Sequence, residues 1–271
     1  MTDLQLGSRV WMTEQILAAD QAHVPISDRG FTLGDGLFET MLWSRDKVRF
    51  FDEHMTRLAA SCAALGFIIP CTIREIGAGL ADLARDAGGG PAALRLTLTR
   101  GSGLRGLAAP DKPESRLIAT IAPIKPVTTP ASLKTVSITR NPAAPSTRFK
   151  TLSYIDNIMA LQEARLAGAD DGVMLGTTGY VACTSGANLV IRHQGSNLTP
   201  ALEDGALPGI VRGQLIQAGL IEEARIAPAL LSTCDAIVQT NALIGVRWVA
   251  EINGRLLPAP QGWAQSLIDT L

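Results

Sequence analysis

Arg148-Phe149-Lys150-Thr151-Leu152-Ser153-Tyr154-Ile155-Asp156-Asn157 places one amine, Lys150, between a proline-punctuated segment and a run with helical spacing. After Asn157 the apolar residues Ile158, Met159, Leu161, Ala164 and Leu166 recur with a helical period, and Gly168 stands where such a helix would stop. A lysine in an apolar setting resists protonation, and a neutral amine is what condensation with an aldehyde requires. A lone lysine ahead of a helix is ordinarily a solvated surface residue. Lys150 therefore acquires meaning only from the rest of the chain.

Toward the N-terminus, Arg140 to Thr147 reads as a loop, Leu133 to Thr139 as a strand, and the Pro-rich Pro123 to Pro130 as a short linker. This spacing predicts a first domain over 1–122, a linker over 123–132 and a second domain over 133–271. Within the first domain, Val10 to Ala18 reads as a strand or hairpin arm and Val24 to Gly30 as a turn. Gly34-Asp35-Gly36 allows a tight turn before a strand at Leu37 to Trp43. Phe51, Met55, Leu58, Cys62 and Leu65 mark a helix over 51–65, with Arg57 off its apolar stripe. Ile76, Leu80, Leu83 and Ala84 mark a second over 73–87. Ala92 to Thr99 and Leu117 to Ala122 alternate as strands.

Residues 101–106, Gly-Ser-Gly-Leu-Arg-Gly, fit the spacing of a dinucleotide fingerprint. That chemistry needs the loop to open a helix, and Leu107, Pro110 and Pro113 do not continue one. A glycine loop presenting Arg105 to a carboxylate is the better reading, because a guanidinium grips a carboxylate as a fork. Toward the C-terminus, Gly172 to Gly176, Val181 to Ser185, Asn188 to Arg192 and Ala236 to Asn241 read as strands. Leu207-Pro208-Gly209-Ile210-Val211-Arg212 precedes a helix read over Gln214 to Gly219, whose free N–H groups would suit a phosphate or simply mark a proline-initiated helix.

Composition narrows the function classes. The 271 residues are 46% hydrophobic and 18% charged with net charge −1, so nothing marks a nucleic-acid partner. Cys62, Cys71, Cys183 and Cys234 are dispersed, as are His23, His54 and His193, which argues against a metal site or a disulfide framework and fits the cytoplasm. Met1 to Val10 carries no signal pattern, and no run of about 20 apolar residues is present to span a bilayer.

Taken together, eight blocks resemble the class IV aminotransferases, the fold-type IV enzymes that use pyridoxal 5′-phosphate (PLP). They are Ser27 to Gly30 with Gly34 to Thr40, Glu53 to Leu58, Thr99 to Gly106, Lys150 to Tyr154, Gly168 to Asp171, Gly179 to Val181 with Asn188, Leu207 to Ile210, and Thr240 to Leu243. The resemblance implies an α+β chain with a small N-terminal domain, a larger C-terminal domain with a barrel-like sheet, a cofactor between them, and a homodimer. It assigns Lys150 to the cofactor aldehyde and to proton transfer, and Arg57 to the phosphate. The N–H groups of Ile210 and Val211, with Thr240 and Asn241, would complete the phosphate cup, and Leu207 would press on one ring face.

One position departs from the pattern. Cys183 falls where the family usually carries a glutamate that pairs with the pyridine nitrogen, and a thiol sustains protonation of that nitrogen less well. Val211 is a milder departure, since a threonine there would add a hydroxyl. The Arg-Gly-Ser-Gly-Leu-Arg-Gly run and the lysine block look most like the aminodeoxychorismate lyase branch, which releases pyruvate to leave 4-aminobenzoate. The D-amino-acid and branched-chain aminotransferase branches are the alternative. Arg105 matches a carboxylate-binding arginine of the D-amino-acid enzymes, but Phe38 stands where a tyrosine would and Leu107 where a histidine would. A PLP-binding protein of low activity is the third reading.

Overall fold

The computed structural model describes residues 8–13, 15–124, 126–260 and 262–271. Most of the Met1 to Val10 reading, Glu14 in the first hairpin and Lys125 in the linker lie outside them. The chain divides into two compact units, Met1–Lys125 with Lys150–Ser153, and Pro126–Phe149 with Tyr154–Leu271.

The first unit contains β1 (Arg9–Met12), β2 (Gln15–Ala18), α1 (Arg29–Leu33), β3 (Gly36–Ser44), β4 (Lys47–Val48), α2 (Phe51–Leu65), α3 (Ile73–Asp86), β5 (Ala92–Thr99) and β6 (Arg116–Pro123). Its six strands form an antiparallel sheet in the order β2-β1-β6-β5-β3-β4. The apolar stripes of α2 and α3 bury Met55, Leu58, Ile76, Leu80 and Leu83 with Trp11, Met41 and Trp43 of the strands. Gly79 is required on α3, because a Cβ there would lie 2.3 Å from the Trp11 ring. A reciprocal Thr72–Glu75 capping box starts this helix.

The turn read over Val24 to Gly30 instead leads into α1. Asp28 accepts from the Gly30 N–H at 2.8 Å and so caps this helix, and Gly34 ends it at φ +67°. This turn then receives the lysine segment. Phe38 N–H donates to the Lys150 carbonyl, and Leu152 N–H donates to Gly36 O, both at 2.9 Å, around a bridge between Leu37 and Thr151. A Cβ at Gly36 would meet Leu152 Cδ1 at 2.5 Å and Leu98 O at 2.6 Å. The glycine of one motif is therefore what lets the lysine of another lie along β3.

The second unit contains β7 (Ala131–Arg140), α4 (Pro145–Arg148), α5 (Ile155–Leu166), β8 (Asp171–Gly176), β9 (Val181–Thr184), β10 (Asn188–His193), β11 (Ser196–Pro200), α6 (Ile210–Gln217), β12 (Glu222–Ala224), β13 (Ala236–Asn241), β14 (Gly245–Ile252), β15 (Arg255–Leu256) and α7 (Trp263–Asp269). Nine strands form one mixed sheet, β12-β11-β10-β13-β14-β7-β8-β9, with β15 on β14. The terminal strand β9 returns to pack against β10 and β11, so the sheet curls into a barrel-like form. Leu133, Val173, Leu189, Ile191, Ile237 and Val249 fill its interior. Among the described residues no helix is long and apolar enough to cross a membrane.

Three expectations need correction. The Arg140 to Thr147 loop runs into α4, a single turn started by Pro145. Helix α6 begins at Ile210, not at Gln214. Gly213 misleads the reading, yet it sits inside the helix with open space around it and donates to Gly209 O at 2.8 Å. Finally, α5 buries Asn157, Ala160 and Ala164, whereas Ile158, Met159 and Leu166 of the expected stripe are exposed. Small residues, not the large ones, face the sheet there.

Candidate active site

In the first unit, the bridge to β3 fixes the Lys150 backbone, and its Nζ lies 4.1 Å from the centre of the Phe38 ring. Phe38 is buried. Its ring also carries the Arg95 guanidinium at 3.8 Å, because Arg95 on β5 lies diagonally across the strand pair. The Lys150 amine and the Arg95 guanidinium thus share one aromatic ring. Thr151, next to Lys150, has a buried hydroxyl without a hydrogen-bond partner.

Glu39, the next residue on β3, points to the opposite face. It receives the Arg57 guanidinium through Nε at 2.8 Å and Nη2 at 2.5 Å, and His54 Nδ1 lies 2.7 Å from its second oxygen. His54 and Arg57 are one turn apart on α2, so both reach one carboxylate. Glu39 is almost completely buried. Burial alone would raise its carboxyl pKa, but the Arg57 charge and the His54 and Arg57 hydrogen bonds together hold it below the usual range. The Glu39 carboxylate takes the Nε–Nη2 edge of Arg57.

In the second unit, Leu207, Ile210, Val211 and Thr240 come together around Asn188. Asn188 opposes Thr240 across β10 and β13, and its Nδ2 donates to Leu207 O at 2.9 Å. A Cβ at Gly209 would lie 1.9 Å from Asn188 Oδ1, so only glycine fits beside it. Helix α6 packs on β13 and starts without a side-chain cap, so the N–H groups of its first turn are offered outward. Thr240 is fully buried, and its hydroxyl has no hydrogen-bond partner. An uncapped helix start beside an orphaned hydroxyl fits a phosphate, which accepts from N–H and O–H donors. The Asn241 side chain is committed elsewhere. Its Oδ1 accepts from Leu243 N–H at 3.0 Å and Ile244 N–H at 2.9 Å, and its Nδ2 donates to Gly186 O at 3.0 Å.

Cys183 lies in the same unit, packed with Val136, Ala160, Ala164, Met174 and Ala182. Burial pushes its thiol up to about 11, Arg140 opposes that rise and Asp171 adds to it. The thiol is neutral at physiological pH. Arg140 is buried, donating through Nη1 to Asn157 Oδ1 at 3.0 Å and through Nη2 to Thr147 O at 3.2 Å, with its Nε unpartnered. Asp171 accepts from Ser185 Oγ at 2.5 Å and Gln239 Nε2 at 2.8 Å. Arg105 stands in the exposed part, residues 104–109, of the loop that begins at buried Gly101. Sequence reasoning missed Glu39, Arg95 and Arg140. Glu39 falls inside a matched block, but strand register brings Arg95 to Phe38, and the packing of α4 and α5 brings Thr147 and Asn157 to Arg140.

Comparisons with known proteins identify the family. The sequence model described as amino-transferase class IV matches residues 36–252. Aminodeoxychorismate lyase of Bacillus subtilis is 28% identical over 228 residues, covering 81% of this chain and 78% of the relative. D-alanine aminotransferase of Listeria monocytogenes is 24% identical, covering 91% and 88%. The crystal structure of a Thermoproteus uzoniensis branched-chain aminotransferase with norvaline superposes with a TM-score of 0.89 at 25% identity, covering 97% of this chain and 93% of that one. A lysine laid along β3, a helix start open to an anion and a match spanning most of the sequence converge on one answer: this chain belongs to the class IV aminotransferases, enzymes that work with PLP.

Proposed function

We propose that this enzyme is an aminodeoxychorismate lyase-like member of the family, eliminating pyruvate to leave 4-aminobenzoate. The observation that carries the reading is Cys183, a buried neutral thiol near the Arg140 cation at the place of the family's glutamate. Neither group sustains protonation of a pyridine nitrogen, so the ring is a weaker electron sink. Elimination tolerates this better than transamination, because aromatisation of the product supplies driving force.

When bound, PLP supplies an aldehyde for capturing the substrate amine and a ring that accepts an electron pair. Lys150 Nζ would hold that aldehyde in the resting enzyme, take the proton from the substrate carbon bearing the amine, and deliver it to the departing enolpyruvate, which leaves as pyruvate while the substrate ring aromatises. Ile210 and Val211 N–H groups and Thr240 Oγ1 bind the phosphate, together with backbone groups at Asn241. Arg57, held in place by Glu39, would add its positive charge to the binding of the phosphate. Leu207 walls the ring, and Phe38 lines the substrate side beside Lys150. The working division is a small domain over 1–122, a linker over 123–132 and a PLP-binding domain over 133–271.

The enzyme acts as a homodimer in the cytoplasm, with Arg105 lent to the substrate carboxylate of the partner protomer's site. Ile26, Phe31, Leu104 and Leu107 are 70–93% exposed, and Gly103 N–H to Ser27 O joins their segments. An exposed apolar patch around an arginine suits burial against a second copy. The alternative is transamination of D-amino or branched-chain amino acids, where the carboxylate trap would lack the two partners replaced by Phe38 and Leu107. Release of 4-aminobenzoate from aminodeoxychorismate without any amino acceptor tests the lyase reading. Conversion of bound PLP to its amine form by D-alanine or leucine, without that release, would favour the transaminase. Bound cofactor with neither reaction would leave a PLP-binding protein of low activity.

A further inference from the structure

The 101–108 loop is built around Arg29. The Arg29 N–H donates to Gly101 O at 2.8 Å, Asp28 bridges to Ser102, and a Cβ at Gly103 would meet Arg29 Cδ at 2.9 Å. The loop backbone therefore lies directly on the Arg29 side-chain stem. The guanidinium then reaches three successive carbonyls. Nη1 donates to Gly106 O at 3.4 Å and Ala108 O at 3.0 Å, and Nη2 donates to Leu107 O at 2.9 Å. Its remaining edge is fixed by Asp35, which accepts from Nε at 2.7 Å. Asp35 also accepts from Arg100 Nε at 2.9 Å, and Arg100 donates to Gly66 O and Leu65 O at the end of α2. Arg29 is buried, although the loop outside it is exposed.

A cation does not stay buried beneath an exposed loop without partners that offset its desolvation, and here the loop carbonyls and Asp35 are those partners. The same bonds fix the loop. Gly106 is at φ +115°, which glycine adopts without steric cost but does not by itself favour, and the bond from Arg29 to its carbonyl helps to hold it there. We propose that Arg29 is the positioning residue of the Arg105 loop, hooking the carbonyls of residues 106–108 so that Arg105 meets a substrate carboxylate at a set place. The second half of this proposal rests on Arg105 receiving that carboxylate.

The test uses the purified full-length protein and two variants. Arg29→Lys keeps the charge opposite Asp35, but its compact ammonium cannot span three carbonyls. Gly103→Ala leaves Arg29 and Asp35 intact and forces the loop off the stem. In both, the amide at position 103, which in the wild type is the Gly103 N–H donating to Ser27 O at 3.1 Å, exchanges hydrogen roughly tenfold faster, while those of α3 are unchanged. Unchanged loop exchange, or equal acceleration in α3, overturns the hook.

In turnover, both variants raise KM for aminodeoxychorismate about tenfold with kcat altered less than about threefold, matching Arg105→Gln, and leave PLP affinity as it was. A loosened loop with unchanged KM overturns the positioning role and leaves Arg29 a brace. Failure of the wild type to bind PLP would instead sink the enzyme reading, and loop exchange would still decide the hook.

Discussion

Cys183 is a buried thiol where, in the proposed reading, the family's glutamate would stand, and two measurements bear on it. Cys183→Glu puts an anion near Arg140 and restores a partner for the ring nitrogen. Its transaminase rate with D-alanine or leucine is expected to rise about tenfold, equivalent to ~1.4 kcal/mol in the barrier. An unchanged or lower rate would remove the electron-sink argument. The second measurement is alkaline stability. The folded thiol is held at about 11 against an ordinary value of 9.0. Because its folded pKa is raised, its contribution is complete below pH 9 and is lost as pH rises through 11, when the unfolded chain has already ionised. Two units correspond to about 2–3 kcal/mol. Denaturant melts between pH 8 and pH 11 should therefore show a steeper loss in the wild type than in Cys183→Ala, and parallel slopes would contradict the burial assignment.

Thr240 gives a prediction of a different kind. Its hydroxyl is buried without a partner in the protein alone, a cost that an accepting ligand would offset. Thr240→Val removes that cost and keeps the shape. The protein without cofactor should be as stable as the wild type or more so, by up to ~1 kcal/mol, while PLP affinity falls about tenfold and pyridoxal affinity does not change. Equal loss for PLP and pyridoxal would show that Thr240 does not face the phosphate.

The elements show where the sequence was readable. Helix α2 and strands β5 and β13 were legible to the residue, because long amphipathic or alternating runs carry their own period. Helices α1 and α4 were not, since each is about one turn set by a cap or a proline. The start of α6 was hidden by Gly213, whose cost of about 1 kcal/mol in a helix is overridden by packing of Val211 and Leu215. For α5, period gave the helix but not its buried face, because the large apolar residues there do not face their own sheet.

The site divides in the same way. The proposed roles of Lys150, Thr240, Ile210 and Val211 come from motif and order. The Glu39 clamp on Arg57, the Arg95 contact with Phe38 and the Arg29 hook depend on cross-strand register and long-range closure, which no local pattern encodes.

On the scale of the whole molecule, the proposed dimer would bury the exposed Leu104 and Leu107 beside Arg105 and so tie assembly to activity. Sedimentation should give about twice the 28.6 kDa chain mass for the wild type. Leu104→Asp with Leu107→Asp should shift it to monomer and abolish turnover while far-UV dichroism stays native. A variant that sediments as the wild type would place the interface elsewhere.

The central claim is that Lys150, pinned along β3 beside Phe38, holds the cofactor aldehyde. The most direct test is the visible absorbance of the protein after incubation with PLP and removal of excess. The wild type should show the band of lysine-bound cofactor and Lys150→Ala should not, although Lys150→Ala should still bind PLP through the phosphate. The same band in Lys150→Ala would contradict the assignment of this lysine.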